Sequence, residues 1–185
     1  MQRKVFIGID LDDHVKSMLV KSVKKWHNLP IKWHKKEGLH IILLPIGWVS
    51  EDDVFDISDA IKSVTNEMNN FSIAFNNILP ISKKDSSEIK EAQLVRLEGN
   101  TSEDLKNLFE KIEKELGLPI VKKKQFKPLV TLGRMRAKKW KELEEYPDIN
   151  INFPVTMDVY QVTLFESVNI DDEWQIVPVE VFDLQ

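Results

Sequence analysis

The sequence predicts an α+β fold, and three observations carry that prediction. Segments of strand and of helical character follow one another irregularly, in the order strand, helix, strand, helix, strand, strand, helix, strand, with further strands towards the end. The longer helical segments open on Ser or Asp caps and carry apolar side chains at helical spacing. There is no internal repeat at the ~20 to 50-residue periods of solenoids or propellers, and no low-complexity tract or linker divides the chain.

The elements can be taken in order. Val5 to Leu11 is β-rich and alternating, a strand, after which Asp10, Asp12 and Asp13 supply cap and first-turn carboxylates for a helix over Asp12 to His27. Val15, Met18, Leu19, Val23 and Trp26 form its core face, and His14 and His27 fall at its ends. Asn28-Leu29-Pro30 is a turn, Ile31 to His34 a short extended piece carrying Trp33, and Leu39 to Pro45 a strand. Ser50-Glu51-Asp52-Asp53 caps a helix through Asn69, with Val54, Ile57, Ile61, Val64 and Met68 inward. Phe71 to Leu79 reads as a strand with one buried face, Pro80 to Glu91 as a charged loop and Gln93 to Leu97 as a strand. Thr101-Ser102-Glu103-Asp104 caps a third helix to Leu116, stopped by Gly117 and Pro119. A strand over Phe126 to Gly133, a short helix over Ala137 to Tyr146, and strands near Ile151 to Met157, Tyr160 to Ser167 and Glu173 to Phe182 complete the chain.

With 185 residues, 42% apolar and 30% charged, the chain is an ordinary globular protein of about one domain. No apolar run approaches the ~20 residues of a membrane span and there is no secretory segment, so a cytoplasmic protein without a membrane partner is expected. The lack of cysteine excludes disulfides, thiolate nucleophiles and cysteine-based zinc sites. His14, His27, His34 and His40 make no metal-binding pattern, and neither a metal nor a cofactor is expected.

A net charge of -4 argues by itself against a nucleic-acid partner, but the charge is unevenly spread. Lys122, Lys123, Lys124, Lys127, Arg134, Arg136, Lys138, Lys139 and Lys141 follow one another without an acidic residue. Six lysines lie between Lys21 and Lys36, again without one. Both runs flank the same two strands, so a locally positive field is expected there; solvated lysine faces that protect sheet edges are the alternative reading.

Those strands are Gly38-Leu39-His40-Ile41-Ile42-Leu43-Leu44 and Gln125-Phe126-Lys127-Pro128-Leu129-Val130-Thr131-Leu132-Gly133-Arg134. Side chains alternate along a strand, so His40 shares a face with Ile42, and Leu129 with Thr131. If the strands are the two walls of a cleft, His40 and Thr131 are the polar groups that look into it.

These segments resemble the two motifs of the two-histidine (2H) phosphoesterase superfamily, in particular its RNA 2',3'-cyclic phosphodiesterases, also called 2'-5' RNA ligases or LigT-like proteins. The family carries two His-x-Thr/Ser motifs. The first appears here as Trp33, Gly38-Leu39-His40-Ile41-Ile42-Leu43 and Ile46-Gly47-Trp48-Val49; the second is Phe126-Lys127-Pro128-Leu129-Val130-Thr131-Leu132-Gly133-Arg134. The opening Lys4 to Leu11, the segment Val162 to Ser167, and Trp174 where relatives tend to carry a tyrosine extend the resemblance over nearly the whole chain. Each motif departs from the pattern at one position: Ile42 replaces a hydroxyl, and Leu129 replaces a histidine.

The resemblance implies two pseudo-symmetric lobes of antiparallel sheet with outer helices around a central cleft, forming a single bilobal domain, and a monomer. It implies that His40 is one member of an acid/base pair and Thr131 a donor to phosphate oxygens, with Phe126 packing or stacking on a base and Arg134 and Lys127 as nearby cations. The implied partner is an RNA or nucleotide with a 2',3'-cyclic phosphate or a 2'-5' linkage. Two imidazoles flanking phosphorus suit such chemistry near neutral pH, and Leu129 can move no proton. Lys124, Lys127 and His34 are the candidate stand-ins. Three readings stay open: an enzyme of altered or impaired activity, a nucleotide- or RNA-binding protein without turnover, and a scaffold.

Overall fold

The computed structural model describes residues 2–82, 89–118, 126–171 and 173–185. The strands are β1 (Arg3–Asp10), β2 (Ile31–Trp33), β3 (His40–Val49), β4 (Phe71–Ser82), β5 (Ala92–Gly99), β6 (Leu129–Met135), β7 (Ile151–Val159), β8 (Gln161–Ile170) and β9 (Glu173–Asp183). The helices are α1 (Asp13–Val23), α2 (Glu51–Thr65), α3 (Glu103–Glu115) and α4 (Ala137–Lys141). Lys122, Lys123, Lys124 and Gln125, and with them one candidate stand-in, lie outside the described residues.

Helix starts follow the caps in the sequence. The Asp12 carboxylate accepts from the Val15 amide at 2.7 Å, Ser50 and Asp53 form a reciprocal capping box ahead of α2, and Ser102 accepts from the Leu105 amide at 3.1 Å. Gly117 stops α3 at φ 63, a left-handed conformation that a side chain would resist. Helix ends differ from expectation: α1 gives way to a 3-10 turn over Lys24–Trp26, α2 ends at Thr65, and α4 is a single short turn. Several strands are longer than expected, β3 running to Val49 and β4 to Ser82, because pairing to neighbours carries them past the local apolar pattern.

The strands form one antiparallel sheet in the order β7-β4-β5-β6-β3-β1-β8-β9, with β2 attached to β6. It consists of two four-stranded halves, and the seam between them is narrow: β3 and β6 are joined through the single pair Ile41 and Val130. This pairing corrects the picture of two opposing walls. The motif strands are hydrogen-bonded neighbours at the centre of the sheet, where each half supplies its edge to the other.

Helices α2 and α3 pack together against strands of both halves. The core lies beneath them and includes Ile7, Leu19, Ile41, Ile61, Ile73, Leu97, Leu105, Leu108 and Val130, each fully enclosed. Alternation then turns His40, Ile42, Leu129 and Thr131 to the opposite, more open face.

Candidate functional site at the seam of the sheet

Register decides what stands beside what. In an antiparallel pair anchored at Ile41 and Val130, position 40 is level with 131, and position 42 is level with 129. The ladder continues on both sides: Asp10 pairs with His40 and Thr131 with Arg96. Asp10, His40, Thr131 and Arg96 therefore make one polar row across β1, β3, β6 and β5. The next row is Gly8, Ile42, Leu129 and Glu98. The two family substitutions are thus neighbours, and the two retained polar residues are neighbours. One side of the site is kept and the other is apolar at its centre.

His40 is held by aromatic rings. It stacks on Phe6 at 4.9 Å between centroids and tilts against Phe165 at 5.3 Å, while Phe6 and Phe165 stack at 5.1 Å. Both phenylalanines are buried, yet neither belongs to the core under the helices; they form a separate aromatic floor to the site. Burial lowers the His40 pKa from 6.5 to about 4, with His34 and Lys16 adding to the shift and the Gly38 backbone and Asp10 opposing it. Its Nδ1 is enclosed and has no hydrogen-bond partner among the described residues. Asp10 is itself engaged by Lys16 at 2.7 Å, a lysine whose side chain is only 10% exposed.

Arg96 is the residue that sequence reasoning missed. It stands beside Thr131, its Nε is buried without a hydrogen-bond partner among the described residues, and burial lowers its pKa, with Arg134 adding to this and Glu98 opposing it. A partly buried guanidinium whose enclosed Nε lacks a partner among the described residues is costly unless an anion completes it. The sequence signal was the alternation Val95-Arg96-Leu97, in which a charge points away from the core; what it lacked was the knowledge that β5 lies next to β6.

Arg134 reaches the same face through a bulge. Between β5 and β6 the register steps from Val95–Gly133 to Arg96–Thr131, leaving Leu132 as the extra residue, and Arg134 then pairs with Leu94. Strict alternation from Thr131 would have turned Arg134 towards the helices. Its charge lowers the pKa of both Arg96 and His34, the latter in second place to the partial burial of the ring. Gly133 lets β2 approach, since a Cβ there would lie 2.8 Å from Ile31 and 2.9 Å from the Trp33 ring. Trp33 is accordingly packed against the core, next to this strand.

The remaining candidates are placed differently. Phe126 precedes β6 and stacks on Phe109 of α3 at 4.9 Å, a packing contact on the helical side. Lys127 is exposed at the entrance of β6. His34 sits near the row, donating its backbone amide to the Leu132 carbonyl at 2.8 Å. No grouping of three or more His, Cys, Asp or Glu fit to hold a metal occurs among the described residues. No described helix is long and apolar enough to cross a membrane.

A bilobal antiparallel sheet with its two motif strands side by side at the seam defines a LigT-like α+β protein. The fold is similar to that of TT0787 from Thermus thermophilus, with a TM-score of 0.78 at 18% identity over 98% of this chain and 97% of that one. It is also similar to Escherichia coli LigT in complex with 3'-AMP, with a TM-score of 0.74 at 16% identity over 100% and 99%. An Archaeoglobus fulgidus RNA 2',3'-cyclic phosphodiesterase is 26% identical over 142 residues, covering 73% of this chain and 74% of that protein. No protein-family model matches the chain. The chain thus has the LigT-like fold, and its sequence is similar to that of an RNA 2',3'-cyclic phosphodiesterase.

Proposed function

We propose that the chain acts on RNA ends bearing a 2',3'-cyclic phosphate, binding them in the His40 row and opening them slowly with one imidazole in place of two. The observation that carries this is the register: His40, Thr131 and Arg96 stand side by side on one open face. Thr131, Arg96 and Arg134 are donors for the non-bridging oxygens. His40 is neutral at pH 7 and free to take a proton from the attacking water; with a pKa of about 4 it is a weak base, which adds to the slow rate. As the water oxygen bonds to phosphorus, one P–O bond to ribose breaks and the leaving oxygen needs a proton. Leu129 cannot give it, so solvent must, and the rate falls by about 10²- to 10⁴-fold relative to a two-histidine site. An RNA 2',3'-cyclic phosphodiesterase among the relatives supports this substrate class, and a cytoplasmic monomer is part of the same reading.

A second reading is a binding protein without turnover. It is favoured by the adjacency of Ile42 and Leu129, which leaves the centre of the acid side of the site apolar across both strands. Incubation with nucleoside 2',3'-cyclic phosphate separates the two. Slow turnover that disappears in His40→Ala supports the enzyme; salt-sensitive binding with no turnover supports the binder; no affinity and no turnover overturns both.

A further inference from the structure

The open face of the sheet continues well beyond His40. Along β1, Asp10, Gly8, Phe6 and Lys4 point to one side, the side on which Phe6 meets the His40 ring. Lys4 is paired with Trp48 of β3, and directly paired residues share a face, so Trp48 belongs to the same surface. It is 59% exposed. On the other side of Lys4 lies Trp174 of β9, 58% exposed, with the Lys4 ammonium 5.4 Å from its ring centroid. Two large, open aromatic faces thus flank a cation. The chain neighbour of Trp174, Glu173, reaches Lys35 at 3.4 Å, which ties the tip of the β8–β9 hairpin to the loop leading into His40.

We propose that Trp48, Lys4 and Trp174 form a track for the nucleotides next to the terminal one, so that the ligand is a single-stranded RNA several residues long and not a mononucleotide. The proposal rests on the function given above. Lys4 is six residues from Asp10 on an extended strand, about 20 Å at the usual rise. That distance accommodates some three unstacked nucleotides between the phosphate site and the far tryptophan. Exposed tryptophans are costly to keep on a solvated sheet face, and an aromatic–cation–aromatic arrangement is the chemistry that binds single strands without reading their sequence: bases stack on the rings and the cation meets a phosphate. Against the acidic balance of the whole chain, this cation extends the basic character around the motif strands along the open face.

The experiment compares two probes, a nucleoside 2',3'-cyclic phosphate and a tetranucleotide ending in the same group, by anisotropy and by quenching of tryptophan fluorescence. The native chain is expected to bind the tetranucleotide more than tenfold more tightly than the mononucleotide, with quenching. In the Trp48→Ala/Trp174→Ala double variant that advantage shrinks to threefold or less while mononucleotide affinity is unchanged, and in Trp48→Phe/Trp174→Phe most of it returns. Lys4→Gln lowers the salt dependence of tetranucleotide binding only. Equal affinity for both probes, or an advantage that survives the double alanine variant, overturns the track and leaves the phosphate site standing. Absence of affinity for either probe overturns both. Because both rings are exposed, their loss leaves the core untouched, and circular dichroism confirms that the variants are folded.

Discussion

His40 and Thr131 stand level on neighbouring antiparallel strands, and the residues two positions along, Ile42 and Leu129, stand level beside them. Family pattern places a hydroxyl and a second imidazole at those two positions. Because the vacancy falls on adjacent residues, Ile42→Thr combined with Leu129→His is expected to rebuild one contiguous side of the site. Ile42 is 46% exposed and Leu129 half-buried on the open face, so both polar side chains are tolerated. Hydrolysis of a 2',3'-cyclic nucleotide should rise by about 10²-fold or more in the double variant and less in either single one. A double variant that folds and binds but hydrolyses no faster would show that the seam does not hold the reacting groups in line.

Arg96 separates stability from binding. Its guanidinium is partly buried and its Nε has no hydrogen-bond partner among the described residues, a feature that favours unfolding unless an anion compensates. Arg96→Met is therefore expected to leave the melting temperature unchanged or raise it, while weakening binding of inorganic phosphate or a cyclic nucleotide by about 10- to 100-fold. Calorimetric melting and titration on the same preparations check both arms. A large loss of stability with intact binding would make Arg96 a structural residue.

Much of this was legible in the sequence. Caps at Asp12, Ser50 and Ser102 and apolar faces such as Val54-Ile57-Ile61-Val64 are local patterns and appear where those patterns place them, while the motif strands keep their centres but shift their ends, β3 running on to Val49 and β6 beginning only at Leu129. What local pattern cannot encode is which strand lies beside which. Arg96 was invisible for that reason, and so was the adjacency of Ile42 to Leu129. The Arg134 side chain depends on a bulge at Leu132, which only the pairing with β5 reveals. Phe126 is a further case: its packing on Phe109 of α3 depends on a contact between distant segments that the motif does not encode.

Burial of a neutral His40 should write itself into the pH dependence of folding. The folded pKa is about 4, below the unfolded value near 6.5. Above about pH 6.5 neither state binds this proton and there is no penalty. As pH falls from about 6.5 to about 4 the unfolded chain takes up the proton first, so stability is lost through that window, with a ceiling on the order of 3 kcal/mol. His34 is also lowered and acts in the same direction. Denaturant titrations at several pH values should show the decline, and His40→Gln should flatten most of it. An NMR titration in which His40 protonates near 6.5 would contradict the enclosed ring. Phosphate in the same titration should move the His40 pKa upward, since a bound anion favours the imidazolium.

Gly8 connects the site to the fold. It pairs with Ile42, and a Cβ at this position would lie 2.5 Å from the Ile41 carbonyl oxygen and 3.3 Å from the Phe165 ring. The ring can shift slightly; the carbonyl belongs to β3 and cannot move alone, because Ile41 is the residue through which β3 meets Val130 of β6. Gly8→Ala is thus expected to lower the melting temperature by about 3 to 10 °C, the range for an overpacked interior in a chain of this length. It should also weaken binding of a cyclic nucleotide, since pushing Ile41 misaligns His40 with Thr131. Gly38→Ala is the control for the thermal effect. No neighbouring atom lies within 4 Å of a Cβ there, so its melting temperature should match that of the native chain. If Gly8→Ala melts normally as well, the close approach of β1 to β3 is not what fixes the seam.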